Sequence, residues 1–405
     1  MSDDSRAPKT KIDLVFDAER LQTLAIEAEN EARKNANIPP TLPAILPAAA
    51  PGDVLSYVRP GIRALHGYTP GEQQPGFIKL NTNESAIAPS PRVRQVLGAI
   101  ADESLRLYPD PVSRRLREVA AQRFGVRPEQ ILAGNGSDDC LTILYRTFLD
   151  AGDRVAFAWP SYGLYETLAG IQGAVVTRVP YQREPRRWNL PDALATTGAR
   201  LTLVANPDNP SSTLAPVATL RKLAQRLNGI LVVDEAYVDF ALGVDPDASM
   251  LKYLDQHPNV VVLRTFSKSY SLAGARLGLM FAAPSLIEQM TKVKDSYNVN
   301  VITQALGTAA LEDHAHHAEL VRQTLAEKAR VEQALAGHGW TWPAAFGNFV
   351  LVHVGARAQQ IRDGLRARQI LVRYWDTPEL RESVRITIGS PSQNDALIAA
   401  LKAIV

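Results

Sequence analysis

A lysine and an arginine lie between two apolar runs that are typical of a protein core. Residues 259–282 read NVVVLRTFSKSYSLAGARLGLMFA, so that Lys268 and Arg276 separate two apolar runs that predict buried strands. An unpaired buried ammonium either costs several kcal/mol or gives up its proton. Lys268 is therefore a candidate nucleophilic amine and Arg276 a candidate anion binder, although a lysine near an arginine more often lies on a solvated surface.

A carboxylate ends another apolar run, in the segment LVVDEAYVDF. Asp234 stands where an unpaired charge is unfavourable, and Tyr237 follows three residues later. Asp234 is either a functional carboxylate or the cap of the next helix, and the segment leaves both interpretations open.

Three more strand-like runs are followed by polar groups. In GNGSDDC, two glycines permit a sharp turn before Ser137 and Asp138, which open a helix whose free amides could bind phosphate or could simply be capped. Tyr162 follows a strand in WPSYGLY, and Asn209 follows another in ANPDNPSST. Taken alone, this tyrosine is typical of a core and this asparagine of a turn.

The elements that must position these groups alternate between strand-length apolar runs and longer amphipathic stretches. The predicted strands of this pattern are 131–134, 154–159, 174–180, 201–206, 229–236, 260–266 and 277–282. Continuously apolar strands separated by helices predict an α/β fold with a mostly parallel central sheet covered on both faces. Ligands of such sheets bind beyond the carboxyl ends of the strands, where the polar groups above are expected.

The chain divides into four predicted regions. Residues 1–50, which end in a proline- and alanine-rich stretch, form an N-terminal extension, and 51–94 form an arm and the start of a small domain. Residues 95–300 form the large domain and 301–405 the small α+β domain. The small domain is expected to contain strands at 348–354 and 383–389 and a final helix at 393–404.

Composition excludes several classes of function. A net charge of +2 and a charged fraction of 21% show no bias toward nucleic acid or a membrane surface. Cys140 is the one cysteine, so the chain forms no intrachain disulfide and no cysteine metal cluster. The N-terminus does not resemble a secretory signal, and no apolar run reaches the length of a bilayer span. We expect a cytoplasmic protein without a metal, and composition alone does not select its partner.

Pyridoxal phosphate is the one cofactor that needs all of these groups together. It requires a lysine for its Schiff base, a carboxylate for its pyridine nitrogen, a phosphate cradle and an aromatic ring over the pyridine. The set is therefore far more specific than any of its members.

The order and sequences of these motifs resemble those of a known superfamily, the fold-type I aminotransferases. The resemblance extends from about residue 57 to the C-terminus. The resemblance is carried by GSDD, PSYGLY, NPDNPSS, VDEAYVDF and TFSKSYSLAGARLG. Within the superfamily the chain most resembles the histidinol-phosphate aminotransferases, in VRPGIRALHGYTPGEQ, IKLNTNES, YPDP, VKDSYNVN and ILVRYWDTPELRESVRITIG.

The resemblance assigns roles around the cofactor. It implies that Lys268 is the Schiff-base lysine, that Asp234 binds the pyridine nitrogen, and that Tyr237 and Asn209 donate to the ring oxygen. Tyr162 would stack on the ring. The residues implied to hold the phosphate are Ser137, Asp138, Thr265, Ser267, Arg276 and, from the second subunit of a homodimer, Tyr108.

The resemblance also assigns the substrate's anionic end to Tyr68, Arg373 and Arg385, with Asn348 on the substrate side. Arg373 could equally be a surface arginine, and Arg385 could belong to a buried ion pair. Guanidinium forks bind phosphate and carboxylate alike, which suits a substrate that is a phosphate monoester in one half-reaction and a dicarboxylate in the other.

The implied reaction is a ping-pong transamination of histidinol phosphate and 2-oxoglutarate to imidazole-acetol phosphate and glutamate, run physiologically in reverse for histidine biosynthesis. Lys268 would also be the general acid and base, with its pKa lowered by Arg276, Arg373 and desolvation. The alternatives are an aromatic amino-acid aminotransferase, a decarboxylase of a phosphorylated amino acid, and a non-catalytic regulator with the same fold.

Two motifs depart from the family pattern. The usual Asn-Glu-Asn-Pro is here Asn83-Glu84-Ser85-Ala86, and the usual Pro-Thr-Gly is Pro210-Ser211-Ser212. Both departures lie at the expected rim of the active site.

Overall fold

The computed structural model describes residues 54–404. The predicted extension, 1–50, lies outside the described residues. The strands, in chain order, are β1 (Ile78–Leu80), β2 (Ile131–Gly134), β3 (Arg154–Trp159), β4 (Val175–Pro180), β5 (Gln182–Glu184), β6 (Arg187–Asn189), β7 (Leu201–Ala205), β8 (Ile230–Asp234), β9 (Val260–Thr265), β10 (Gly278–Phe281), β11 (Phe349–His353), β12 (Ile370–Val372) and β13 (Ser383–Thr387).

Helices separate most of these strands. The α-helices are α1 (Pro60–Ala64), α2 (Pro91–Gly98), α3 (Asp102–Arg106), α4 (Arg114–Phe124), α5 (Ser137–Phe148), α6 (Leu164–Gln172), α7 (Val217–Arg226), α8 (Val238–Leu242), α9 (Pro284–Val293), α10 (Val301–Glu312), α11 (His314–Ala336), α12 (Ala358–Ala367) and α13 (Pro391–Ile404). Short 3-10 helices are Val54–Tyr57, Pro128–Gln130, Asp192–Thr196, Met250–Gln256, Ala273–Ala275 and Gly355–Arg357.

Seven strands form the central sheet, in the order β2-β10-β9-β8-β7-β3-β4. The neighbours from β9 to β4 are parallel, and β10 runs antiparallel to both of its neighbours. This topology confirms the predicted α/β fold with a mostly parallel sheet. Because β10 reverses direction between β2 and β9, the carboxyl end of β2 lies at the same edge as those of the parallel strands.

Side chains of the sheet alternate between two cores. Along β9, Val260 and Val262 pack in one buried cluster, and Val261 and Leu263 pack in the other. The first cluster also contains side chains of α4 and α10, and the second contains side chains of α5, α6 and α9. Successive side chains of a strand point to opposite faces of the sheet, so a sheet between two helical layers requires apolar side chains on both faces.

A third buried cluster lies around the short strands near the C-terminus. It joins Leu80 of β1, Val350 of β11, Ile386 of β13 and Leu397 of α13. Sequence reasoning predicted β11 and β13, but it missed β1, β12 and the β5–β6 hairpin, which are three residues long. Strand β1 pairs in parallel with β12 across almost 300 positions, from Ile78 to Ile370, a pairing that no local pattern encodes.

Contact density separates two units, Met1–Arg59 and Pro60–Val405. The second unit contains the central sheet and the third cluster together. The division predicted within it, at 94/95 and 300/301, stays a prediction.

Close packing at one glycine fixes the start of α5 against the sheet. A Cβ atom on Gly278, the first residue of β10, would lie 2.4 Å from the amide nitrogen of Ser137 and 2.5 Å from the carbonyl carbon of Gly136. Backbone atoms cannot move aside as a flexible side chain does. Glycine at 278 therefore lets β10 support the helix N-terminus that the sequence predicts as a phosphate site.

We expect Gly278→Ala to displace the start of α5 and to lower the free energy of unfolding by about 1–3 kcal/mol, as overpacking of a close contact does. Urea unfolding of the cofactor-free protein measures the change. Gly274→Ala is the matched control, since a Cβ there meets nothing within 4 Å. Equal stability of the two variants would contradict the packing argument.

Candidate active site

One cavity of about 700 Å³ opens at the edge where the parallel strands end. It is lined by most of the residues that the resemblance singles out, namely Tyr68, Ser137, Asp138, Tyr162, Asn209, Asp234, Tyr237, Thr265, Ser267, Lys268, Arg276, Arg373 and Arg385. Loops after β2, β3, β7, β8 and β9 supply the majority of them, because the carboxyl ends of these strands meet at this edge.

Lys268 lies three residues after the end of β9 and reaches into the cavity. Its Nζ donates to the carbonyl oxygen of Thr82 at 3.1 Å. Desolvation by the surrounding protein, followed by the nearby charge of Arg385, lowers the pKa of Lys268 to about 8, and Arg276 adds a smaller effect in the same direction. From the sequence we expect Arg373 to lower the pKa of Lys268, but the arginine that does so is Arg385, which is more deeply buried than Arg373. About a tenth of this amine is therefore uncharged at pH 7, far more than for a lysine with the ordinary pKa of 10.5.

Asp234 ends β8 and is 6% exposed. The hydroxyl of Tyr165 donates to its Oδ2 at 2.8 Å, and the amide of Ala236 donates to its Oδ1 at 3.2 Å. Burial raises the pKa of Asp234 to about 6, although both hydrogen bonds act in the opposite direction. Helix α8 begins at Val238 with Tyr237 at its N-cap, so Asp234 does not cap it, and the carboxylate lines the cavity instead.

Aromatic hydroxyls surround the space between Lys268 and Asp234. Tyr237 is 6% exposed, and burial raises its pKa to about 12. Tyr162 donates to Oδ1 of Asp138 at 3.3 Å, and its ring meets that of Tyr68 edge-on with centroids 5.6 Å apart. Burial also raises the pKa of Tyr162, so the phenols of Tyr237 and Tyr162 are both protonated at neutral pH.

An anion cradle forms where α5 meets the loop after β9. Gly136 has a φ of 96° at the helix N-terminus, and a Cβ on it would lie 2.6 Å from Nη2 of Arg276. The guanidinium of Arg276 also pairs with Asp138 at 3.2 Å. The hydroxyls of Thr265 and Ser267 lie 3.0 Å from each other, and both residues line the cavity. Free helix amides, two hydroxyls and a guanidinium fit a phosphate monoester.

Two arginines occupy the other side of the cavity. Arg373 and Arg385 are paired through their backbones. The guanidinium of Arg385 is buried and donates to Oδ1 of Asn209 at 2.5 Å and to the carbonyl of Asn81 at 2.8 Å. Burial lowers the pKa of Arg385 to about 10, which leaves it charged. Arg373 is less enclosed and has its guanidinium beside the ring of Trp375, 5.2 Å from the centroid.

Two predicted site residues lie apart from this cavity wall. Tyr108 is 80% exposed and stacks on Tyr297, with ring centroids 4.4 Å apart. Asn348 lines a neighbouring cavity and donates to the carbonyl of Asn83 at 3.1 Å.

Sequence reasoning missed Tyr165, Asn83 and Trp375. Tyr165 belongs to the same PSYGLY segment as Tyr162 and is the second residue of α6, so its position three residues after Tyr162 was the available signal. Trp375 lies between the two arginines, since its ring centroid is also 5.1 Å from the guanidinium carbon of Arg385. Nothing local in the sequence places an aromatic ring there.

One motif departure has a structural explanation. Ser212 stands where the family pattern has glycine, and it has a φ of 66°, a left-handed conformation that glycine adopts most easily. Its Oγ accepts a hydrogen bond from the amide of Gly347 at 2.8 Å, and its carbonyl accepts one from Phe346. These bonds tie the loop that carries Asn209 to the segment before β11.

Two kinds of site are not found among residues 54–404. No group of three or more histidine, cysteine, aspartate or glutamate side chains is arranged to hold a metal ion in this part of the chain. Within the same residues, no helix has both the length and the hydropathy that a bilayer crossing needs.

Comparison with known proteins gives consistent matches. The model of the family "aminotransferase class I and II" matches residues 75–401. Histidinol-phosphate aminotransferase 1 of Trichormus variabilis is 38% identical over 351 residues, which cover 86% of this chain and 98% of that protein. Histidinol-phosphate aminotransferase of Synechocystis is 40% identical over 349 residues, covering 85% of this chain and 97% of that protein.

A solved structure resembles the whole described fold. The histidinol-phosphate aminotransferase of Sinorhizobium meliloti, solved in complex with pyridoxal-5'-phosphate, superposes with a TM-score of 0.79 at 28% identity, covering 87% of this chain and 98% of that one. The extent and identity of these matches agree with the motifs and with the cavity they line. The chain belongs to the class I and II aminotransferase family, and its curated relatives place it among the histidinol-phosphate aminotransferases.

Proposed function

We propose that the protein is a pyridoxal-phosphate-dependent aminotransferase that acts on histidinol phosphate and 2-oxoglutarate, physiologically in the direction of histidine biosynthesis. The observation that carries this proposal is the convergence in one cavity of an amine with a lowered pKa, a buried carboxylate and an anion cradle, with two arginines opposite. The names and cofactor of the relatives support the same activity.

Different residues of the cavity would bind different parts of the cofactor. The phosphate cradle would bind its phosphate, Asp234 its pyridine nitrogen, and Tyr237 and Asn209 its ring oxygen, and Lys268 would link to its aldehyde. When bound, pyridoxal phosphate supplies an electron sink for the charge that develops on the substrate carbon. Asp234 must be ionised to hold a proton at the pyridine nitrogen, and the hydrogen bond from Tyr165 stabilises that ionised form.

Lys268 has a second role as general acid and base. Once substrate displaces it, its amine would move a proton between the substrate α-carbon and the cofactor, which requires a neutral amine at the working pH. The lowered pKa supplies that form. Enclosure in the cavity also limits water, which would compete for the proton.

The two arginines support the choice of substrate. Arg385 is buried and fixed by Asn209 and Asn81, so it offers a pre-positioned fork, whereas Arg373 lies nearer the rim. Two adjacent guanidinium groups favour a doubly charged end group, such as a phosphate monoester or the distal carboxylate of glutamate. Tyr68, in the cavity wall beside Tyr162, would close the anion site, and Asn348 would act through the backbone of Asn83.

The quaternary state and location are further parts of the proposal. Tyr108 is too exposed to serve the cavity of its own chain, and its neighbours Leu105 and Leu107 are 57% and 53% exposed. A homodimer would cover these side chains and bring Tyr108 to the phosphate cradle of the partner. A cytoplasmic location fits a chain whose single cysteine is buried and unpaired.

An aromatic amino-acid aminotransferase is the second candidate, because the rings of Tyr68 and Trp375 lie in the cavity with the arginines. A half-reaction panel separates it from the first. We expect histidinol phosphate and glutamate to bleach the absorbance of the lysine-linked cofactor at least tenfold faster than phenylalanine or tyrosine at equal concentration. Faster bleaching by phenylalanine would overturn the substrate assignment, and carbon dioxide release would indicate a decarboxylase.

Lys268→Ala should abolish the visible absorbance band of the bound cofactor and lower the transamination rate by several orders of magnitude, because both the linkage and the proton carrier are lost. Purified wild-type and variant protein are compared by absorbance after addition of pyridoxal phosphate. Lys294→Ala is the control, since this lysine lies outside the cavity. A wild-type protein without the band would be a non-binding regulator, contrary to the proposal.

The pH dependence of cofactor uptake reports the pKa of Lys268. The pKa of about 8 is below the ordinary 10.5, so the neutral fraction of the amine grows about tenfold per pH unit below pH 8 and levels off above it. We expect the uptake rate, measured by stopped-flow absorbance on the cofactor-free protein, to follow this curve. A rate that keeps rising to pH 10 would show an unperturbed lysine.

Arg373→Gln should raise the KM for histidinol phosphate about tenfold or more, with a smaller change in kcat, because one charge-assisted contact to the substrate's phosphate is lost. Steady-state kinetics with both substrates measure the effect. Arg381→Gln is the control, an exposed arginine of the same segment that does not line the cavity. Equal kinetics of the two variants would remove Arg373 from the anion site.

A further inference from the structure

A buried asparagine connects the small C-terminal strands to the cofactor-facing tyrosine. Asn83 follows β1 by three residues and is 1% exposed. Its φ of 56° lies in the left-handed region, which asparagine tolerates better than most residues and which persists where the surroundings determine it. Both its backbone and its side chain are engaged by neighbouring groups.

Three hydrogen bonds from the C-terminal strands fix Asn83. The hydroxyl of Thr387, at the end of β13, accepts from the Asn83 amide at 3.0 Å and donates to the Asn83 Oδ1 at 3.0 Å. The side-chain amide of Asn348, just before β11, donates to the Asn83 carbonyl at 3.1 Å. Because Oδ1 of Asn83 accepts the proton of the Thr387 hydroxyl, the group on the opposite side of the side-chain amide is Nδ2, which is a donor.

Nδ2 of Asn83 donates to the hydroxyl oxygen of Tyr237 at 3.1 Å. The Tyr237 oxygen therefore accepts from the side of Asn83, and no side chain or carbonyl of residues 54–404 takes the phenolic proton. That proton is free to point into the cavity, which Tyr237 and Asn83 both line. A donor on the phenolic oxygen also makes the phenol a stronger donor itself, since successive hydrogen bonds polarise one another.

We propose that Asn83 is a positioning residue that orients the Tyr237 hydroxyl proton toward the cofactor's ring oxygen. This inference rests on the proposed function, in which Tyr237 donates to that oxygen. Asn83 does not touch the reacting atoms. It acts through Tyr237, and Thr387 and Asn348 hold it in the required orientation.

The same contacts couple the anion site to the ring oxygen. Thr387 lies two residues after Arg385 on β13, so one short strand carries both the arginine of the anion site and the support of Asn83. Arg385 also bonds Asn209, the other predicted donor to the ring oxygen. Both donors to one cofactor atom are thus fastened to the strand that carries the substrate-binding arginine.

The test is the pH titration of the lysine-linked cofactor's absorbance, which a merely structural role would not shift. A donor to the ring oxygen stabilises its negative charge, so the neighbouring lysine-linked nitrogen loses its proton at lower pH. We expect Tyr237→Phe to raise the titration midpoint by about one pH unit. Asn83→Asp keeps the size of the side chain and its tolerance of a left-handed backbone, but its carboxylate can only accept hydrogen bonds. The Tyr237 hydroxyl proton should then point toward the carboxylate and away from the ring oxygen. We expect this variant to raise the midpoint by about as much as Tyr237→Phe does.

A double-variant cycle separates orientation from simple charge. In the Tyr237→Phe background, Asn83→Asp should add less than about a third of its single-variant shift, because no phenolic proton remains to be oriented. Asn83→Gly, which keeps the left-handed backbone and adds no charge, should shift the midpoint in the same direction by a smaller amount. Ser85→Ala is the control, removing a hydroxyl that bonds Ile87 in the same loop, and should leave the midpoint unchanged.

Full additivity of the two substitutions, or an unchanged midpoint in both Asn83 variants, would overturn the inference while leaving the aminotransferase intact. An unchanged midpoint in Tyr237→Phe would remove the role of Tyr237 and the inference with it. A wild-type protein that shows no titrating cofactor band would instead overturn the proposed function. Thermal unfolding of each cofactor-free variant identifies any that fails to fold, and Asn83→Gly then replaces Asn83→Asp in the cycle.

Discussion

The free energy of placing an amine at the end of a buried strand constrains the rest of this structure. Lys268 follows β9, whose residues are all buried, and desolvation moves its pKa down to about 8. A charged ammonium would be unfavourable here, and a neutral amine is reactive. The parallel sheet makes this position available, because ligands of such sheets bind beyond the carboxyl ends of the strands, where the cavity opens.

Three functional groups around the lysine are each hydrogen-bonded to a second polar side chain. Tyr165 supports Asp234, Asn83 supports Tyr237, and Asn209 supports Arg385. Each pair reduces the loss of solvation of a functional group and also fixes its direction. These supporting side chains also line the cavity, and each comes from a segment distant in the sequence from the group that it supports.

The small strands near the C-terminus also contribute to the site, although the central sheet supplies most of its residues. Strand β13 carries Arg385 and Thr387, and the segment before β11 is bonded to Ser212 of the loop that holds Asn209. The left-handed backbone of Ser212 is offset by a hydrogen bond that its hydroxyl accepts from the backbone amide of Gly347. This departure from the family pattern thus leaves the position of Asn209 supported.

The sequence by itself determined the strands of the central sheet and the helix that follows β2, and it singled out Lys268, Asp234 and Arg276 as site candidates, because these depend on local apolar runs and on motifs only a few residues long. The tertiary structure decided what lies behind them. Asn83 meets Tyr237 across 154 positions and Thr387 across 304, and Trp375 enters the space between two arginines. Such contacts depend on how strands from opposite ends of the chain pair, as β1 does with β12, and no local pattern records that pairing.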